Sequence, residues 1–241
     1  REYDMNAAMF EKEPLRLVGR GSANSQPIYD FIGDIEDEYL ENYEEVSIDR
    51  GGEELIETLV LSNICQVLSK RDSFPKVLDV GCGRGYVLDH FKALEKVGLD
   101  VSLDKLLHIS LESGIVPIRA FGEGMPFVSG YFDAVLCLDV FEHVRAAQNL
   151  VNEVSRVLKV GGSLFLACPW KQDLSVYDSE RYKQEYKQYK YKHMRSIDQN
   201  VTDKLFYKFR MVNDTMVTAH ERFMKLTPYS VRFMQFVLKE V

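Results

Sequence analysis

The chain has 241 residues and a formal net charge of −7. That length suits one α/β domain with additions, and the acidic balance argues against a general nucleic-acid binder. No apolar run approaches the ~18 residues of a membrane span and no N-terminal signal pattern is evident, so a cytoplasmic protein is expected.

Residues 1–27 follow no clear period. From Ile28 to Tyr43, apolar residues at Ile28, Phe31, Ile32, Ile35, Tyr39 and Leu40 fall at helical spacing, with an acidic opposite face. A second stripe, Leu55, Ile56, Leu59, Val60, Ile64 and Val67, predicts a helix over Glu53–Lys70. Together they predict an N-terminal helical extension over residues 1–72, ahead of a domain over 73–241.

That domain opens on Val77-Leu78-Asp79-Val80-Gly81-Cys82-Gly83-Arg84-Gly85-Tyr86. The pattern is a buried strand, a tight glycine turn and a helix start. Glycine has no Cβ, so the turn can be sharp and a ligand can approach the main chain. The spacing G-x-G-x-G is not the G-x-G-x-x-G of dinucleotide-binding proteins. Asp79, inside the strand, would repel a pyrophosphate and attract an ammonium or sulfonium group. Asp100 ends the next apolar run, about 20 residues further on, where a nucleotide-binding βαβ unit places its ribose-binding acid. Ribose and a cation without pyrophosphate describe S-adenosyl-L-methionine.

Strands are then predicted at Lys96–Leu99, Ile115–Arg119, Ala134–Leu138 and Ser163–Ala167. Helices are predicted at Tyr86–Leu94, Leu103–Glu112 (with Ser102 as N-cap) and Val144–Leu158. Such alternation gives parallel strands and right-handed crossovers, with ligands at the carboxyl ends where strand order reverses. Residues 170–200 break the pattern. They mix Arg181, Lys183, Lys187, Lys190 and Lys192 with tyrosines, and read as an insertion on the substrate side. Phe209–Val217 is strand-like. Thr227-Pro228 resembles a helix start, which predicts a helix to about Lys239. The four cysteines, Cys65, Cys82, Cys137 and Cys168, form no C-x-x-C pair and read as free thiols, with no metal site assigned.

The glycine turn, Gly122-Glu123-Gly124-Met125-Pro126-Phe127, Phe132-Asp133-Ala134-Val135 through Glu142-His143-Val144, and Leu158-Lys159-Val160-Gly161-Gly162 together resemble the class I S-adenosylmethionine-dependent methyltransferases. The likeness runs from about Val77 to Pro169 and is nearest to the ubiquinone and menaquinone methyltransferase group. It implies a doubly wound, Rossmann-like, mostly parallel sheet with helices on both faces and a cover inserted after the fifth strand. It implies that S-adenosyl-L-methionine, and its product S-adenosyl-L-homocysteine, bind through Asp79, Gly81, Cys82, Gly83, Asp100, Val101, Phe121, Gly122, Glu123 and Leu138. Phe121 departs from the family, which commonly has an Asp there to read the adenine amine. Asp139 and His143 are the candidates for acceptor chemistry, with His143 as general base or as a helix cap.

The acceptor is expected to be a small molecule methylated on O, N or C. Two rivals remain open: an RNA methyltransferase using the Lys/Tyr stretch, and a non-catalytic module that keeps the cofactor pocket.

Overall fold

The computed structural model describes residues 7–19, 27–37, 39–41, 76–90, 95–180, 193–219 and 229–240. Among these, nine strands form one sheet. They are β1 (Arg16–Val18), β2 (Ile28–Asp30), β3 (Lys76–Val80), β4 (Glu95–Asp100), β5 (Ile115–Arg119), β6 (Phe132–Leu138), β7 (Leu158–Trp170), β8 (Phe209–Ala219) and β9 (Tyr229–Leu238). Their spatial order is β1-β2-β5-β4-β3-β6-β7-β9-β8. Strands β2, β5, β4, β3, β6 and β7 pair in parallel, while β1, β9 and β8 add antiparallel neighbours at the edges.

The described helices are α1 (Tyr86–Asp89), α2 (Leu103–Leu107), α3 (Ala147–Val157) and α4 (Gln199–Leu205). They lie on both faces because the central strands are apolar on both. Leu78, Val80, Val97, Leu99, Val135 and Leu164 point into one core with Leu150, Val151 and Val154 of α3. Val77, Ala134, Leu136 and Phe165 point into the other with Leu88 and Leu106. This is the near-continuous burial that a doubly covered parallel sheet requires. The chain runs β3, β4, β5 to one side and then returns to place β6 against the other edge of β3. Strand order reverses there, and the carboxyl ends of β3, β4 and β6 surround the reversal point.

Two expected helices are replaced by strands. Ile28–Asp30 joins β5 as β2, and Gly33, at φ +73°, turns the chain just beyond it. The Asp30 carboxylate accepts from the Ile32 and Gly33 N–H groups at 2.9 and 3.0 Å, and from Arg16 Nε at 2.7 Å. Burial pushes this carboxyl up, but those backbone donors and Arg16 outweigh it, so it lies below its ordinary value. Arg119 reaches the same network, donating to the Gly33 carbonyl at 2.8 Å.

The second case is Tyr229–Leu238, expected as a helix after Pro228. It is inserted between β7 and β8, and both faces are covered. Phe233 stacks with Phe165 on one side, and Phe236 stacks with Phe206 on the other. Buried partners on both sides override a local N-terminal helix signal. The Glu53–Lys70 helix, the 1–72/73–241 boundary and the stretch 181–192 lie outside the described residues. β7 begins at Leu158, directly after α3 and ahead of the expected start at Ser163.

Met234 in β9 is fully buried. Met234→Ala should cost about 2–5 kcal/mol of stability, the range for truncating a core side chain. Urea unfolding measures it, and a change under 1 kcal/mol would contradict a central position for β9.

Candidate functional site

Asp79 lies near the end of β3 and Asp100 ends β4. Asp79 pairs across to Gly98. Asp100 is two residues beyond Gly98, so both carboxylates project from the same face of the sheet as diagonal neighbours. Both are buried.

Asp100 is held by the backbone. Its Oδ2 accepts from the Gly83 N–H at 2.8 Å and its Oδ1 from the Ser102 N–H at 2.9 Å. Ser102 then caps α2, accepting from the Lys105 N–H at 3.2 Å, as expected from the sequence. Each Asp100 oxygen keeps a further acceptor direction, suited to a diol. Burial pushes the Asp79 carboxyl well above its ordinary value, and the charge of Asp100 adds to the push. A cation placed against Asp79 would reverse that balance.

The turn between them has a steric reason for its glycines. Gly81, Gly83 and Gly85 all have positive φ, at 76°, 55° and 77°. A Cβ on Gly81 would overlap the Val140 side chain, and one on Gly85 would come within 2.8 Å of Ile115. A Cβ on Gly83 would meet nothing within 4 Å, leaving open space above the main chain. The Cys82 thiol is buried behind the turn, and burial together with Asp100 and Asp79 pushes it up. It is therefore a packing group, and Cys82 presents its main chain to the site.

Val101 and Phe121 follow the ends of β4 and β5, the strands next along the sheet from β3. Phe121 neighbours Tyr39, with ring centroids 6.4 Å apart, and the Arg145 guanidinium lies over both rings at 5.3 and 4.7 Å. Arg145 also pairs with Asp37 at 3.0 Å. Gly122 begins a short 3-10 turn against Val80 and Leu150. The Glu123 carboxylate accepts from the Arg145 and Ala146 N–H groups, so it caps α3, whose own N-cap residue, Ala146, has no side-chain donor or acceptor.

The β6 end supplies the other wall. Leu138 is its last residue, and Asp139 follows in a left-handed conformation (φ 56°) with its N–H donated to Ala167 at 2.9 Å. Asp139 is exposed, whereas Glu142 and His143 are buried in the next turn. Phe141 and Val144 anchor that turn in the core on either side of the pair. The segment after the insertion then grips it. Met194 N–H donates to the Glu142 carbonyl at 2.8 Å, and Arg195 donates to the carbonyls of Phe141 (2.6 Å), Val144 and Arg145. The His193 ring meets the His143 ring edge to face at 4.7 Å.

His193 was not a candidate on sequence. It closes a Lys/Tyr run far along the chain from His143, and only the return of the insertion to the β6 end brings them together. Trp170 ends β7 beneath Arg232, whose guanidinium carbon is 4.0 Å from the ring centroid.

A parallel sheet with a G-x-G-x-G turn, two buried carboxylates on adjacent strands and an antiparallel strand beside the last parallel one defines the class I methyltransferase architecture. Residues 78–166 match the family model described as a methyltransferase domain. Over those residues the chain therefore carries a methyltransferase domain of the class I, S-adenosylmethionine-dependent type. It is 31% identical over 147 residues to the MJ0638 protein of Methanocaldococcus jannaschii, covering 61% of this chain and 63% of that one. It is 36% identical over 104 residues to the ubiquinone biosynthesis O-methyltransferase of Chromobacterium violaceum, covering 38% and 43%. The chain thus spans less than two thirds of the length of these curated relatives. The PH0226 protein of Pyrococcus horikoshii shares the fold with a TM-score of 0.59 at 21% identity, over 85% of this chain and all of that one.

Gly81→Ala combines left-handed backbone strain, about 1–2 kcal/mol, with overlap on Val140. Gly83→Ala carries the strain alone. Urea unfolding should therefore rank Gly81→Ala as the more destabilised variant. Equal losses would show that the Val140 packing is not what requires Gly81.

Proposed function

We propose that this chain transfers a methyl group from S-adenosyl-L-methionine to a small-molecule acceptor. The observation that carries the reading is the pair Asp79 and Asp100, buried side by side at the strand-order reversal next to an open glycine turn. Two buried carboxylates without a cation are an expensive arrangement. They suit a ligand that brings both an ammonium group and a ribose diol.

Asp79 holds the methionine ammonium, and Asp100 takes the two ribose hydroxyls. Gly81, Cys82 and Gly83 contribute main-chain contacts, and the open face of Gly83 lets the ligand lie close. Val101 and Phe121 enclose the adenine, with main-chain groups of Gly122 and Glu123 at its polar edge. The Tyr39–Arg145 cluster behind Phe121 fixes that ring, which suits stacking in place of the side-chain contact an Asp would make. The Leu138 carbonyl faces the methionine portion.

The bound cofactor supplies the electrophile, a methyl group on a sulfonium. The protein's work is alignment of the acceptor and exclusion of water. Asp139 and His143, on the turn after β6, line the acceptor side and act on the nucleophile. The described ends of the insertion, residues 170–180 and 193–200, lie on that side. Its return segment, Met194 and Arg195, is bonded to the same turn, which supports this placement. The net charge of −7 and the ubiquinone O-methyltransferase relatives favour a small acceptor over nucleic acid.

Asp79 gives the reading a pH signature. In the free protein its carboxyl is raised, so it retains a proton at a pH where the unfolded chain has lost one. Between the ordinary carboxylate range and the raised value, stability of the free protein falls as pH rises. Ligand binding drives the proton off. Affinity for S-adenosyl-L-homocysteine should therefore increase with pH through that window. Calorimetry in buffers of different ionisation enthalpy should show proton release on binding. Asp79→Asn should raise the unfolding midpoint of the free protein at neutral pH while weakening the ligand about 10–100-fold. Tight binding with no proton release would remove Asp79 from the ammonium site.

Asp100→Ala tests the ribose assignment separately. It should weaken S-adenosyl-L-homocysteine by about 1–3 kcal/mol, the scale for a hydrogen bond to a charged group. Unchanged affinity would refute it.

A further inference from the structure

We propose that Glu142, His143 and His193 hold a divalent transition-metal ion on the acceptor side of the cofactor site. The inference rests on the methyltransferase reading for its role, but not for its geometry. One ligand atom from each of the three side chains lies within 4.8 Å of the other two. Donors bonded at about 2.1 Å to one ion sit at most about 4.2 Å apart, so the cluster must close by roughly half an ångström. His193, half-buried on a surface segment, can supply that movement.

The surroundings are arranged as they would be for a ligand set. His193 Nδ1 is hydrogen-bonded to Gln172 Oε1. Gln172 also meets the Tyr177 hydroxyl through Nε2 at 3.3 Å. With Nδ1 as the donor in that contact, Nε2 is the ring atom that would meet a metal. Fixing the ring through its second nitrogen is what metal-ligating histidines require. The Glu142–His143 backbone is equally fixed, by Phe141 and Val144 in the core and by Met194 and Arg195 across the turn. Glu142 is fully buried; burial first, and the nearby Glu142 carboxylate second, push up the thiols of Cys137 and Cys168. Neutralisation by a cation would relieve that burial cost.

Two imidazoles and one carboxylate favour Zn²⁺, Mn²⁺, Fe²⁺ or Co²⁺ over Mg²⁺ and Ca²⁺, which prefer all-oxygen sites. Three protein donors leave coordination positions open. An acceptor hydroxyl bound there would lose its proton to solvent water more readily. Its oxygen would then form the bond to the methyl carbon, while the methyl–sulfur electron pair returns to sulfur to give the neutral thioether. His143 would act as a ligand in place of a general base, and the acceptor class becomes hydroxyl compounds.

The test uses the full chain with Mn²⁺ and Zn²⁺ as probes, measured by calorimetry and by electron paramagnetic resonance of Mn²⁺. The wild type should bind one ion of each, with Mg²⁺ competing poorly. Glu142→Gln and His193→Ala should bind at least 10-fold more weakly. Gln172→Ala should lose about 10–100-fold, and Gln172→Glu, which keeps an acceptor for Nδ1, should not. Bound Mn²⁺ should enhance water-proton relaxation, because the site keeps exchangeable water. Circular dichroism and S-adenosyl-L-homocysteine affinity, taken on each variant, report folding and the cofactor site. If Glu142→Gln does not fold, the half-buried His193 and Gln172 variants decide. Absence of Mn²⁺ and Zn²⁺ binding, or binding indifferent to these substitutions, overturns the site. Binding without relaxation enhancement overturns its role in holding the acceptor. Normal cofactor affinity with no metal sinks this inference alone, whereas metal binding without cofactor affinity sinks the methyltransferase reading alone.

Discussion

A carboxylate buried beside a second one resists ionisation, and the sheet must hold Asp79 there regardless. Asp79 has no strong local compensation to match that of Asp100, which accepts two backbone N–H groups. The asymmetry separates their roles. Asp100 is built into the glycine turn and shapes it even without a ligand. Asp79 is left with an unfavourable charge that a cationic ligand would satisfy. On the proposed reading, stability is given up at Asp79 so that affinity is gained at the same residue, a common trade at binding sites. Parallel strands on both sides of β3 make this possible, because the surrounding core is large enough to absorb the cost.

The glycine turn also joins the two halves of the site. The space a Cβ on Gly81 would need is filled by Val140, which stands between Asp139 and the Glu142–His143 turn. The glycine turn and the turn after β6 therefore pack directly against one another. Interiors at crystal-like density transmit such contacts as displacement, not as slack. A change of conformation at one turn is felt at the other without any intervening element.

Much of this was legible in the sequence because it is local. The β3 strand, the glycine turn, Asp100 and Ser102 lie within one βαβ unit, and their spacing reports backbone geometry directly. The cap on α3 was not legible, because its donor groups meet Glu123 from a separate loop. The Ile28–Asp30 and Tyr229–Leu238 strands were misread for a related reason. Helical spacing and Pro228 are local signals, but those segments are recruited by β5 and β7, whose exposed edges offer hydrogen bonds and apolar faces from far along the chain. His193 failed most completely, since a histidine at the end of a Lys/Tyr run has no distinguishing neighbours until the chain folds back.

That fold-back changes how the acceptor side should be understood. Arg195 donates to the Phe141 and Val144 carbonyls, so the end of the insertion is fastened to the turn that carries Glu142 and His143. Its start is fastened too, through Lys171 N–H on the Ile197 carbonyl at 2.7 Å. Both ends of the insertion are thus tied at the β6–β7 edge of the site, and Gln172 and His193 face each other across the join. On the proposed reading, β3 through β7 hold the cofactor. The segment fastened to the Glu142–His143 turn lies beyond the residues 78–166 that match the family model. Two constraints meet at that join: a rigid, shared floor and an individual wall clamped to it. Acceptor choice in such an arrangement can change by substitution in the wall while Asp79, Asp100 and the glycine turn stay as they are.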